Sequence, residues 1–181
     1  IYGYDKISSG KIQIDGKTIG PGQPVYVIAE AGVSHFGSYE KAIQHVDLAA
    51  QAHADCVKFQ IFDVDHLFSD EAAEWKQRLS TRCLGKKDFF RIRDYCATKG
   101  ITFLATAHDD FGLSVLDELE VAAFKIGSGE LRNWQFLKKI SAKQKPIIYS
   151  TGMHSLQDIH DSIGVMVAEG NSDIAILHCV T

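Results

Sequence analysis

The chain has 181 residues, 45% hydrophobic and 23% charged, with 15 Gly, 3 Pro and a formal net charge of −4. That length ordinarily makes one domain with a core that needs no staples, and these fractions exclude disordered and collagen-like chains. An acidic balance with no clustered Lys/Arg run argues against a nucleic-acid partner.

The opening residues, IYGYDKISSG, lack the basic-then-apolar layout of a signal peptide. KIQIDGKTIG then alternates apolar and polar residues around Asp15-Gly16, which predicts a β-hairpin. Residues 1–24 are read as this hairpin and a lead-in. After Pro21 and Pro24, short apolar runs at 25–29, 56–62, 101–105, 123–127, 147–150 and 174–178 predict strands. Five helices are predicted between them. Ser38 caps the first, with Ala42, Val46, Ala49 and Ala50 on one face. Phe89, Ile92 and Cys96 mark the second, closed by Lys99-Gly100, and Leu113, Leu116 and Leu119 mark the third. Asn133 starts the fourth, with Phe136, Leu137 and Ile140 on one side. Ser155 with Asp158 is a capping-box-like start to the fifth, which is expected to bury Ile159, Ile163 and Val167 and to end at Gly170. The polar stretch from Asp63 to Gly85 is read as a long functional or mobile loop.

This alternation specifies parallel βαβ units. An open nucleotide-binding sheet needs G-x-G-x-x-G after its first strand, and AEAGVSHFG stands there instead. A (β/α)₈ barrel predicts polar residues at the C-terminal end of strand after strand, and Glu30, Lys58, Gln60, Thr106, Lys125, Ser128, Ser150, Thr151 and His178 fit it. The expected fold is therefore α/β, a (β/α)₈ TIM barrel over residues 25–181. At about 26 residues per step it reaches only strand six of eight. No apolar stretch nears the roughly 20 residues of a membrane span. Cys56, Cys83, Cys96 and Cys179 show neither C-x-x-C spacing nor a disulfide framework, so a reduced, cytoplasmic enzyme is expected.

In Asp55–Ile61 the strand period of two sends Val57, Phe59 and Ile61 toward the helices and Lys58 and Gln60 into the barrel. A buried Lys needs an anionic partner, either a ligand or an internal salt bridge to Glu30. Lys125 sits likewise at a strand end, before Gly127-Ser128-Gly129, where a Gly/Ser turn suits a phosphate or carboxylate. Two lysines at one mouth suggest a ligand with more than one negative charge. Thr106 and Ser150 supply neutral donors. Glu30 can act as general base, stabilise a developing cation or neutralise the lysines. His35, His108 and His178 are placed at the mouth, with His35 and His178 as candidate site-lining residues. His45, His53 and His160 are read as solvated on helices, His66 as part of the long loop, and His154 as lying near a helix start. No pair has H-x-x-x-H spacing, so no metal ligand is assigned.

IAEAGVSHFGSYEKA, ADCVKFQIF, YCATKGITFLATAHD, AAFKIGSGEL, KPIIYSTGMHSL and AILHCVT together resemble the sialic acid synthase family, which includes the pseudaminate, legionaminate and spore-coat polysaccharide synthases. The resemblance covers nearly the whole chain from Val25. It implies a barrel enzyme, a transferase that condenses phosphoenolpyruvate with an N-acetylmannosamine-like aldose, giving a nonulosonic acid and phosphate. Lys58, Thr106, Lys125, Ser128 and Ser150 match phosphoenolpyruvate-binding positions, Glu30 matches the acidic residue near the reacting carbons, and Gln60 matches a sugar contact. The family's divalent metal, Mn²⁺ or Mg²⁺, polarises the open-chain aldehyde. The resemblance puts both metal-ligating histidines, strands seven and eight and an antifreeze-like domain that closes the partner's site in a homodimer beyond Thr181. It thus implies that this stretch alone is an inactive fragment. The family's usual N-H-N-G is Ser34-His35-Phe36-Gly37 here, and its T-P-F is Thr106-Ala107-His108, so the sugar is left open. A Schiff-base aldolase using Lys125 as nucleophile and a non-catalytic anion-binding fragment are the alternatives.

Overall fold

Strands β1 (Ile12–Ile14) and β2 (Lys17–Ile19) pair antiparallel across the expected turn. Asp15 and Gly16 both take positive φ, 50° and 76°, as a two-residue primed turn requires. The structure is a computed structural model that describes residues 10–181, so the first part of the lead-in expected over 1–24 lies outside the described residues. The described residues form two compact units, Tyr26–Val121 and residues 10–25 with Ala122–Thr181.

In the unit Tyr26–Val121, β3 (Ile28–Gly32), β4 (Cys56–Ile61) and β5 (Thr102–Ala107) run parallel in that order. Helix α1 (Tyr39–Gln51) begins at Ser38, whose side chain accepts the Lys41 N–H. Val57, Phe59 and Ile61 are at most 1% exposed, and fully burying such a side chain is worth about 1.5–3 kcal/mol. Every residue of β5 is buried, the signature of a parallel strand covered on both faces. The first strand starts later than expected. Val25 and Val27 are 85% and 48% exposed, since an apolar run enters the ladder only where a neighbour covers it.

The stretch from Asp63 to Gly85 is not a plain loop. It holds helices α2 (Val64–Leu67) and α3 (Ala73–Ser80) with a 3₁₀ turn between them, and neither helix buries a residue. Without a buried stripe there is no apolar period to reveal them. Helices α4 (Lys86–Thr98) and α5 (Asp110–Glu118) follow as expected, burying Phe89, Ile92 and Cys96, and Leu113 and Leu116.

In the other unit, β6 (Phe124–Ile126), β7 (Ile147–Ser150) and β8 (Ile174–Leu177) are parallel in that order. Helix α6 (Trp134–Ser141) is capped by Asn133, and α7 (Leu156–Ala168) by the full Ser155/Asp158 capping box. The buried face of α7 is Asp158, Ser162 and Met166, while Ile159, Ile163 and Val167 are only half-buried. The correction follows from a polar interior contact: Tyr149 of β7, completely enclosed, donates to Ser162 and so draws that face inward. With three parallel strands in each unit joined by helical crossovers, the chain has the first six steps of a (β/α)₈ fold. Among the described residues all four cysteines are free thiols, and no helix is long and apolar enough to cross a membrane.

Asp109 ties two strand ends together in the first unit: Oδ1 accepts the Gly112 N–H that starts α5, and Oδ2 accepts the Asp63 N–H after β4, both at 2.6 Å. Asp109→Ala removes a cap and a loop anchor at once and is expected to lower stability by about 2 kcal/mol in urea denaturation. A loss below about 0.5 kcal/mol would show that the anchor is dispensable.

Candidate functional site

The polar ends of the strands fall into one cluster in each unit. In Tyr26–Val121, pairing sets Glu30 beside Lys58 and Gln60 beside Thr106. Lys58 is 5% exposed, and its Nζ donates to Glu30 Oε2 and, at 3.5 Å, to Thr106 Oγ1. The internal salt bridge weighed against a ligand role is therefore present. Glu30 keeps more than half of its side chain open, so the pair presents a carboxylate outward and an ammonium inward. Glu30 Oε1 and Gln60 Nε2 flank the bulge at Gly32, 3.6 and 3.8 Å from where a side chain there would begin.

In the other unit, Lys125 is 8% exposed and its Nζ donates to the Ile126 carbonyl at 2.6 Å and to Ser150 Oγ at 2.7 Å. Ser128, in a 3₁₀ turn after β6, accepts the Gly152 N–H at 2.9 Å. Gly152 must be glycine, because a Cβ there would stand 2.8 Å from Ser128 Oγ and 2.3 Å from Thr181 O. One ammonium, two hydroxyls and a backbone N–H thus gather at the ends of β6 and β7. The Gly152 N–H is engaged by Ser128 Oγ, whose own hydroxyl reaches the Thr181 carbonyl at 3.5 Å.

His178, read as a candidate site-lining residue, is exposed. His35 is completely enclosed: Nδ1 accepts the Gly37 N–H at 3.1 Å, the ring lies 6.1 Å from Phe59, and Nε2 has no partner. Burial of Glu130 and the partners of Asp158 and His154 escaped the sequence reading. Glu130 is buried and accepts from Asn133 Nδ2 at 2.7 Å. Asp158 takes bonds from Ser155 and Arg132, which hold its carboxyl down at about 2. His154 lies between the Gly152 carbonyl and the Tyr149 hydroxyl, both at 2.7 Å. The E at the end of KIGSGE was the only available signal for Glu130; a hydrogen-bonded histidine leaves none.

Burial, with a smaller contribution from His45, pushes the His35 imidazole down to about 4 from 6.5. The unfolded chain takes up this proton as the pH falls below 6.5, and the folded chain does so only near 4. The stability due to neutral His35 is therefore full above pH 6.5 and lost progressively down to pH 4. Urea midpoints measured at pH 7 and pH 4.5 should drop more for the wild type than for His35→Gln. Equal drops would remove His35 from the acid response.

The NeuB family matches residues 45–181. The spore coat polysaccharide biosynthesis protein SpsE of Bacillus subtilis is 34% identical over 178 residues, 93% of this chain and 48% of that protein. N,N'-diacetyllegionaminic acid synthase of Campylobacter jejuni is 35% identical over 170 residues, 86% of this chain and 51% of the relative. The solved N-acetylneuraminic acid synthetase of Leptospira borgpetersenii, in complex with citrate, superposes with a TM-score of 0.89 at 30% identity, over 94% of this chain and 59% of that one. The chain spans about half the length of the curated relatives it matches. Because the family match takes in most of the chain, including both strand-end lysines and their hydroxyl partners, the chain belongs to the NeuB family.

Proposed function

We propose that this chain supplies the phosphoenolpyruvate-binding part of a synthase that joins phosphoenolpyruvate to an N-acetylmannosamine-like aldose, yielding a sialic-type nine-carbon acid and phosphate. The observation that carries the reading is the pair of buried strand-end lysines, each bonded to a hydroxyl-bearing neighbour, Thr106 for Lys58 and Ser150 for Lys125. A buried ammonium holds on to acceptors strongly, and an anionic ligand able to share Lys58 with Glu30 or to meet Lys125 beside Ser150 suits both places. The family membership supports the same reading, as does the polyanion citrate bound by the Leptospira relative.

The resemblance to the family assigns Lys58 and Lys125 to the anionic groups of phosphoenolpyruvate, with Thr106, Ser128 and Ser150 as neutral donors. The enolic carbon attacks the open-chain aldehyde, a cation develops at C2, water adds there, and phosphate leaves with C–O cleavage. Glu30, partly open and close to Gln60, stabilises the cationic carbon or takes the proton of the attacking water, while Gln60 meets the sugar. A divalent metal that polarises the aldehyde belongs to the family's chemistry. Among the described residues no three His, Cys, Asp or Glu side chains gather to hold one, so no step is assigned to it here. The complete protein, on this reading a cytoplasmic homodimer, carries those ligands outside these 181 residues.

The test is phosphate release from phosphoenolpyruvate supplied with N-acetylmannosamine or a 2,4-diacetamido-trideoxyhexose and Mn²⁺ or Mg²⁺. A protein of the relatives' full length bearing this sequence should turn over, and the 181-residue chain should not. Lys125→Ala in that protein should raise the KM for phosphoenolpyruvate at least tenfold, equivalent to about 1.4 kcal/mol. No release with any aldose would overturn the condensation. Borohydride trapping of a pyruvate adduct on Lys125 would replace it with Schiff-base chemistry.

A further inference from the structure

The turn that carries Gly152 is held in an unusual way. His154 N–H closes it on the Thr151 carbonyl, and Met153, exposed and not a glycine, sits at φ 63°. A left-handed non-glycine residue costs free energy and persists only where its neighbours impose it. Here the His154 ring grips the turn from its carbonyl side, at Gly152 O, while the Gly152 N–H points to Ser128 Oγ.

Four contacts run in line from that carbonyl: Gly152 O to His154 Nδ1 at 2.7 Å, His154 Nε2 to Tyr149 Oη at 2.7 Å, Tyr149 Oη to Ser162 Oγ at 2.9 Å, and Ser162 Oγ to the Asp158 carbonyl at 2.7 Å. Both ends are carbonyl oxygens, which only accept. Each contact therefore needs a hydrogen from within the chain of groups. Tyr149 supplies one and Ser162 supplies one. Burial and the charge of Asp158 raise the Tyr149 phenol, outweighing the Ser162 bond, so it keeps its proton. A neutral imidazole adds a single hydrogen and leaves one contact empty. An imidazolium fills all four.

We propose that His154 is a positioning residue carried as the imidazolium, so that the Ser128–Gly152 cradle is assembled with uptake of one proton. The charged groups facing it fit that state. Asp158 of α7 is paired at 2.9 Å with Arg132, ahead of α6, and is the more buried of the two, so its negative charge is felt on this side. Lys125 of β6 aligns with Ile148 and bonds Ser150, on the opposite face of the sheet from Tyr149. The segment after β8 meets the turn through main chain, with Met153 N donating to Val180 O.

The proposal rests on Ser128 serving an anion, but its first test does not. In ¹⁵N NMR of the 181-residue chain at pH 7, the wild-type His154 ring should carry protons on both nitrogens. Tyr149→Phe and Ser162→Ala each shorten the line of contacts, and both should leave a singly protonated ring. A singly protonated wild-type ring would overturn the proposal. Sulfate, a dianion that does not titrate near neutrality, then probes the cradle through the Gly152 amide. Wild-type affinity should weaken as the pH rises from 6 to 9. His154→Leu should bind about tenfold more weakly at pH 6, the worth of one strong hydrogen bond. His154→Gln, able to bridge the same partners without titrating, should bind with no pH slope. A slope in His154→Gln equal to that of the wild type would overturn the positioning role. A doubly protonated ring in a chain that binds no sulfate would sustain the proton count and overturn the anion reading of Ser128.

Discussion

An ammonium group taken out of water must be surrounded by acceptors, and two such groups organise everything at the strand ends of this chain. Lys58 meets the requirement with the Glu30 carboxylate and the Thr106 hydroxyl. Lys125 meets it with dipoles, the Ile126 carbonyl and the Ser150 hydroxyl. Glu30 bonds Lys58 while keeping more than half of its side chain open to solvent. Lys58 stands in the middle of β4, and Lys125 one residue before the end of β6.

The period of two along β7 links this chemistry to the packing behind it. Ser150 turns to the Lys125 side and Tyr149 to the helix side, one residue apart. The residues that follow, Thr151 and Gly152, are fixed from both directions: Thr151 Oγ1 bonds the Leu177 carbonyl, and Gly152 lies between Ser128 and the His154 ring. Ser162 and Tyr149 thus link α7 by hydrogen bonds to His154 and the turn that carries Gly152. That short path explains why the buried face of α7 carries polar residues at Asp158 and Ser162.

The features readable from the sequence are those with local causes. The Asp15-Gly16 turn, the Ser38 and Asn133 caps and the Ser155/Asp158 box are set within four residues, and each stands where it was read. Strand alternation likewise placed Lys58 inward between Val57 and Phe59. The start of β3 was missed because Val25 and Val27 are apolar for reasons that the ladder does not use. Helices α2 and α3 were missed because an unburied helix has no stripe. The α7 face was misjudged because a single long-range hydroxyl contact, Tyr149 to Ser162, outweighed three isoleucine and valine positions. Partners distant in sequence are what a one-dimensional pattern cannot carry, and the His154 contacts with Gly152 and Tyr149 add meaning only once the strand and turn are folded.

A net charge of −4 does not weigh against an anionic substrate. Charges scattered over the surface are screened beyond about 8 Å at physiological salt, so the total says little about the field at a strand end. A buried ammonium acts at hydrogen-bond distance in a medium far less polarisable than water, where its pull on a dianion exceeds that of several surface carboxylates pushing from afar. What the acidic surface does affect is encounter, since like charge slows the approach of an anion and makes it salt-dependent. Under the proposed function, affinity is therefore a matter of the buried lysines and their hydroxyl partners, while ionic strength acts mainly on the rate at which an anion arrives.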